Sequence, residues 1–119
     1  MIQKTREFVY TRTFFNNWKE AGLNDSDFVR LEDMLIRNPK LGEVIPGTGS
    51  ARKMRFAYEG RGKRGSARII YVDYEVGERI CFLAAYAKSS KENLTEEEKR
   101  ILKITIEALG KIYDNKAKG

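Results

Sequence analysis

Apolar and polar residues alternate over Lys53–Tyr58, with Met54, Phe56 and Tyr58 on one side and Lys53, Arg55 and Ala57 on the other. That is the period of a strand with one covered face. Arg68–Tyr74 is rich in β-branched and aromatic residues, and Ile80–Ala87 is a nearly continuous apolar run. The second pattern predicts a central strand covered on at least one side, and EVGE between the two suits a hairpin. Upstream the period lengthens. Phe28, Leu31, Met34 and Leu35 recur at helical spacing, which predicts a helix through FVRLEDMLIR, capped within NDSD and ended by Asn38-Pro39. Before it, Phe8–Thr11 is a short β-prone run. Thr13 is then expected to cap a helix over FFNNWKEA, with Gly22 as its left-handed stop. Residues 39–51 hold both prolines and three glycines without a helical period, so they read as an ordered loop pinned by Leu41, Val44 and Ile45. Near the end, Thr95-Glu96-Glu97-Glu98 is a capping box. It opens a helix to about Asp114, with Ile101, Thr105, Ala108 and Ile112 on one stripe and Leu102 and Leu109 beside it.

The order β-α-α-β-β-β-α predicts an α+β fold: a small antiparallel sheet with helices packed on one face. At 119 residues and 41% apolar, residues 1–119 are expected to form a single domain around one core. No apolar stretch approaches the ~18 residues of a membrane span. The start, MIQKTREFVYTRTFF, lacks the apolar core of a secretory signal, so the expected location is cytoplasmic. The single cysteine, Cys81, sits in the run ICFLAAY and is expected to be a buried, inert thiol.

Charge changes this picture more than composition does. The formal net charge is +6. Between Arg52 and Arg68 there are seven basic residues (Arg52, Lys53, Arg55, Arg61, Lys63, Arg64, Arg68) against one acid, Glu59, so the whole excess is local. A charged edge can simply discourage aggregation, but such edges mix signs. A one-signed cluster points instead to a polyanion. Lys53 and Arg55 share a strand face about 6.5–7 Å apart, and Arg68 begins the next strand. The intervening GRGKRGS reads as a flexible basic loop whose glycines admit a phosphate close to the backbone. GRGKRG formally matches a dinucleotide fingerprint, but a strand follows it where the fingerprint needs a helix.

Histidine is absent, which removes the commonest general base and metal ligand, and one cysteine cannot build a zinc site. No metal and no cofactor is expected. Chemistry on RNA remains open, because a 2′-hydroxyl can attack the neighbouring phosphate. Arginines aimed at the developing charge stabilise that step. Crowding by like charge favours the neutral amine of a lysine, so Lys53 is a candidate for proton transfer, with Lys88 as a second. Tyr86, on the face it shares with Lys88, can stack a base, take part in proton transfer, or simply belong to the core.

The stretch NPKLGEVIPGTGSARKMRFAY (38–58), followed by GRGKRGSARIIY and then AYAK, resembles the RelE/HigB group of bacterial toxin–antitoxin toxins, and its HigB-type branch most. The resemblance covers roughly residues 8–112 and implies the same β-α-α-β-β-β-α fold. It also implies ribosome-dependent cleavage of mRNA, a block of translation with growth arrest, and a cognate antitoxin, expected to be a small helix-turn-helix protein of HigA type. Carried onto this chain, the catalytic residues implied are Lys53, Arg55, Arg68 and Lys88. RNA or ribosome binding falls to Arg52, Arg61, Lys63, Arg64, Tyr86 and Lys91. Two positions depart from RelE: Ser89 stands where RelE has an arginine, with Lys91 as a substitute, and ENLTEE lacks the C-terminal tyrosine. Relatives that rely on histidine use a mechanism this chain cannot follow. Two other readings stay open: a ParE-like toxin that inhibits gyrase without cutting RNA, and a non-catalytic RNA-binding module.

Overall fold

The computed structural model describes residues 5–60, 63–87 and 93–114, and only the backbone of 59, 60, 63 and 64. Its elements are β1 (Glu7–Tyr10), α1 (Arg12–Glu20), α2 (Asp25–Arg37), β2 (Glu43–Val44), β3 (Arg52–Gly60), β4 (Lys63–Tyr74), β5 (Arg79–Ala87) and α3 (Glu96–Tyr113). The five strands form one sheet in the order β1-β5-β4-β3-β2. The α+β class and the element order hold, with the two-residue β2 added.

Two expectations about the sheet are corrected. It is mixed rather than antiparallel, because β1 takes the free edge of β5 and runs parallel to it. A buried ion pair, Arg6 Nε to Asp73 Oδ1 at 2.7 Å, ties the start of β1 to β4. Nor do the helices share one face. Ile69, Tyr71, Ile80 and Phe82 face α1 and α2, while Ile70, Val72, Tyr74, Cys81 and Leu83 face α3. Strands that are apolar on both sides need cover on both sides, and α3 supplies the second layer.

The helices begin and end for local reasons. Thr11, not Thr13, caps α1: its hydroxyl accepts from Phe14 N at 3.2 Å and donates to Phe82 O at 2.9 Å, so one side chain both starts the helix and fixes it to β5. Gly22 follows at φ +78°, in the left-handed region. Asn24 and Asp27 form a capping box for α2, and Thr95 and Glu98 form the expected one for α3. The stripe that α3 turns to the sheet is Leu102, Ile106, Leu109 and Tyr113, whereas Ile101 and Ile112 of the expected stripe are 52% and 65% exposed. An apolar arc wider than one contact face allowed either choice.

The basic glycine stretch is mostly strand rather than flexible loop. β3 and β4 pair without a break from Arg52↔Tyr71 to Gly60↔Lys63, so only residues 61–62 lie between them. Gly65 is opposite Tyr58, and a Cβ there would sit 2.8 Å from the Tyr58 ring. The ring lies over the glycine, which makes room for it in the ladder. In the segment before β3, Ile45 is buried as expected, but Leu41 and Val44 are largely exposed. The anchor missed there is Tyr71, whose buried hydroxyl donates to Pro39 O at 2.9 Å and accepts from Gly42 N at 2.8 Å.

One irregularity shapes the far end of the sheet. Tyr71 pairs with Phe82 and Ile70 with Ala84, which leaves Leu83 as an extra residue, a β-bulge. The Ala85 amide finds Asn17 Oδ1 at 3.1 Å, so α1 supports the bulge. The result is that Leu83, Ala84 and Tyr86 all pack toward the α3 side.

Candidate nucleic-acid interface

Register brings three site candidates into one row. Arg55 lies opposite Arg68 across β3 and β4, and Arg68 lies opposite Tyr86 across β4 and β5. Lys53 is two residues from Arg55 on the same side, opposite Ile70. Since Ile70 packs toward α3, the row is on the α3 side of the sheet. Arg55 is exposed, and Lys53 and Arg68 are half-buried.

The electrostatics of this row are unusual. Cations directly opposite each other on neighbouring strands repel, and a half-buried guanidinium normally finds a carboxylate. None of Lys53, Arg55 and Arg68 makes an ion pair with a described residue, whereas Arg6, Arg30, Lys40 and Arg79 all do. Arg68 Nη1 is buried without a hydrogen-bond partner among the described residues. A groove of about 410 Å3 opens at this edge, lined by all three cations together with Glu43, Met34 and Leu41. Glu43 stands directly opposite Lys53 across β2 and β3, so among the described residues it is Arg55 and Arg68 that face no carboxylate across the ladder; fixed donors of that kind beside a groove are what an anion site requires.

Tyr86 closes the row. Its hydroxyl is buried, and that burial raises its pKa above the ordinary phenol value; Arg68 works in the opposite direction and Glu98 in the same one. The phenol therefore keeps its proton at neutral pH. Glu98 was not singled out in the sequence except as a helix cap, and it turns out to line the same groove as Tyr86, together with Leu94. The bulge that turns Tyr86 this way has a sequence trace, the loss of alternation in FLAAY.

Other candidates are placed elsewhere. Arg52, expected among the RNA-binding residues, falls on the opposite face by strand alternation, where its guanidinium donates to Gly42 O at 2.7 Å and Lys40 O at 3.4 Å. It braces the loop before β3. Lys63 and Arg64 belong to β4, paired with Gly60 and Glu59. Arg61, Lys88 and Lys91 lie outside the described residues. Among the described residues, no group of three or more His, Cys, Asp or Glu could hold a metal ion, and no helix is long and apolar enough to cross a membrane.

Cys81 is fully buried, and burial pushes its thiol up to about 11. At pH 8 such a thiol is protonated and shielded. Iodoacetamide should therefore leave the native protein unmodified over a time that alkylates the unfolded chain completely, as read by intact mass; equal rates would show that the thiol is accessible.

A small mixed sheet covered by two N-terminal helices on one face and a C-terminal helix on the other, with cations converging at one end, defines a compact class of fold. The same fold is found in a double arginine-to-alanine mutant of the E. coli toxin RelE in the free state (TM-score 0.51, 11% identity), the match covering 74% of this chain and 88% of that one. A family model described as the RelE toxin of the RelE/RelB toxin–antitoxin system matches residues 8–118. The chain belongs to the RelE toxin family.

Proposed function

We propose that this toxin is a ribosome-dependent mRNA endoribonuclease of the HigB-type branch, which blocks translation and is held inactive by a cognate, HigA-type antitoxin. The observation that carries the reading is the row of Arg55, Arg68 and Lys53 beside the groove, none of them ion-paired to a described residue. Arg55 and Arg68 would grip the scissile phosphate and stabilise the charge that grows on it as the 2′-hydroxyl attacks. Lys53 would take or give a proton at the same phosphate. Tyr86, held protonated, can donate to the leaving oxygen or stack on a base. Lys88 joins this set on the resemblance alone. Arg61, Lys63, Arg64 and Lys91 would follow the RNA or ribosomal backbone, where charge counts for more than geometry. This chemistry calls for neither metal nor organic cofactor, and a toxin that acts on ribosomes works in the cytoplasm.

A ParE-like gyrase inhibitor has no need of phosphate-directed cations on its sheet, and an RNA-binding module has no need of a buried phenol beside them. A short pulse of expression, followed by mapping of new mRNA 5′ ends, separates the three. Ends should appear within a translated reporter and be absent when its start codon is removed. Intact RNA with a DNA-damage response would instead establish gyrase inhibition, and intact RNA without one would establish binding alone.

A further inference from the structure

β2 ends after two residues, paired only with Arg52 and Lys53, so beyond Lys53 no described strand covers the outer edge of β3. The groove of about 410 Å3 opens there. Arg55, Arg68 and Lys53 account for a phosphate in it, but Glu43, Met34 and Leu41 share the lining. A groove for phosphate alone gains nothing from a carboxylate, which repels the same anion. Nor do a thioether and an isobutyl group serve it, since neither donates a hydrogen bond.

Register orders these groups along the groove. Arg55 and Arg68 face each other across β3 and β4, whereas Glu43 lies one strand further out, opposite Lys53. Lys53 is two residues, or about 6.5–7 Å, along β3 from Arg55. A phosphate on the two arginines therefore leaves its nucleoside toward β2, where the lining turns apolar and acidic. A base is apolar on its faces and polar at its edge, so Met34 and Leu41 suit the first and Glu43 the second. A carboxylate only accepts hydrogen bonds. Guanine alone presents two neighbouring donors, N1–H and the N2 amino group, on its pairing edge. Adenine and cytosine set one donor beside an acceptor, and uracil flanks its one donor with two carbonyl oxygens. Glu43 also offsets part of the charge of Lys53, but no ion pair joins the two and Glu43 is exposed, which leaves its oxygens open to a ligand.

We propose that the groove at the outer edge of β3 is a nucleobase site, in which Glu43 reads the pairing edge of a guanine attached to the phosphate held by Arg55 and Arg68. The inference rests on the reading of the cation row as an RNA site and adds a determinant of sequence to it.

The test uses the full-length toxin and, as probes, four single-stranded tetranucleotides, UNNU with N as G, A, C or U. Each carries 2′-O-methyl groups, so that no hydroxyl can attack. By calorimetric titration UGGU should bind at least about 10-fold tighter than UUUU. Glu43→Gln should remove that preference while UUUU binds at least as tightly as it does to the wild type. The new amide, with one donor beside one acceptor, should also raise the rank of UAAU. Glu20→Gln, which removes an equal charge from the exposed end of α1, should leave the preference intact. Equal binding, or no binding, of all four probes by the wild type would overturn the proposal. So would a Glu43→Gln variant whose four affinities shift by one common factor, since Glu43 would then be only a counter-charge to Lys53. A guanine preference together with an uncut translated reporter would refute the nuclease and keep the base site; cleavage of translated mRNA without regard to base would do the reverse.

Discussion

Replacing Arg68 with alanine should abolish growth arrest and lower RNA cleavage by roughly 10²–10³-fold, the loss typical of removing one donor aimed at developing charge. The fold should survive. Arg68 makes no ion pair with a described residue and stands directly opposite Arg55, so its removal relieves repulsion across β3 and β4. Cross-strand like-charge pairs cost on the order of 0.2–1 kcal/mol, and the variant should therefore melt at or slightly above the wild-type temperature. An activity loss coupled to a gain in stability distinguishes a functional cation from a structural one. A variant that melts lower and loses toxicity in proportion would make Arg68 a structural residue; one that melts normally and stays fully toxic would remove it from the site.

The largest effect on stability is expected from Phe82→Ala. Phe82 is fully buried and stacks on Phe14 at 4.8 Å, Tyr10 at 5.5 Å and Phe8 at 5.7 Å, with the edge of Phe28 at 6.1 Å. Truncating such a ring costs about 3–5 kcal/mol, and its aromatic neighbours lose their stacking as well. For a chain of this length the melting temperature should fall by roughly 10–25 °C. Ring packing here joins α1, α2, β1 and β5, so all four should loosen together in a thermal scan followed by near-UV circular dichroism. A fall of only a few degrees would mean that the cluster repacks around the gap.

Much of this molecule was legible in its sequence, and the misses have physical causes. Period two in Lys53–Tyr58 placed Met54 and Phe56 inward and Lys53 and Arg55 together, and both placements hold. The same alternation also put Arg52 on the other face, a consequence easily lost when cations are counted along a segment. Apolar density in β4 and β5 signalled burial but did not say which face each helix would cover, because a strand that is apolar throughout fits a layer on either side. Parallel pairing of β1 with β5 joins the two ends of the fold, and no local pattern carries that information. The convergence of Arg55, Arg68 and Tyr86 depends on register, which the bulge at Leu83 resets by one residue. Only a break in alternation hinted at it. Glycine-rich GRGKRG misled for a different reason: glycine suggests a loop, yet Gly65 serves a ring packed across the strand pair.

The parallel pairing of β1 with β5 has a consequence for how this toxin comes into being. The Thr11 hydroxyl bonds the Phe82 carbonyl 71 residues downstream, and the ring of Phe8 meets its stacking partner, Phe82, only when β5 arrives. During synthesis β1 must wait, unpaired, until β5 has left the exit tunnel. The row of Arg55, Arg68 and Tyr86 likewise spans three strands, so it cannot line up before β5 has paired with β4.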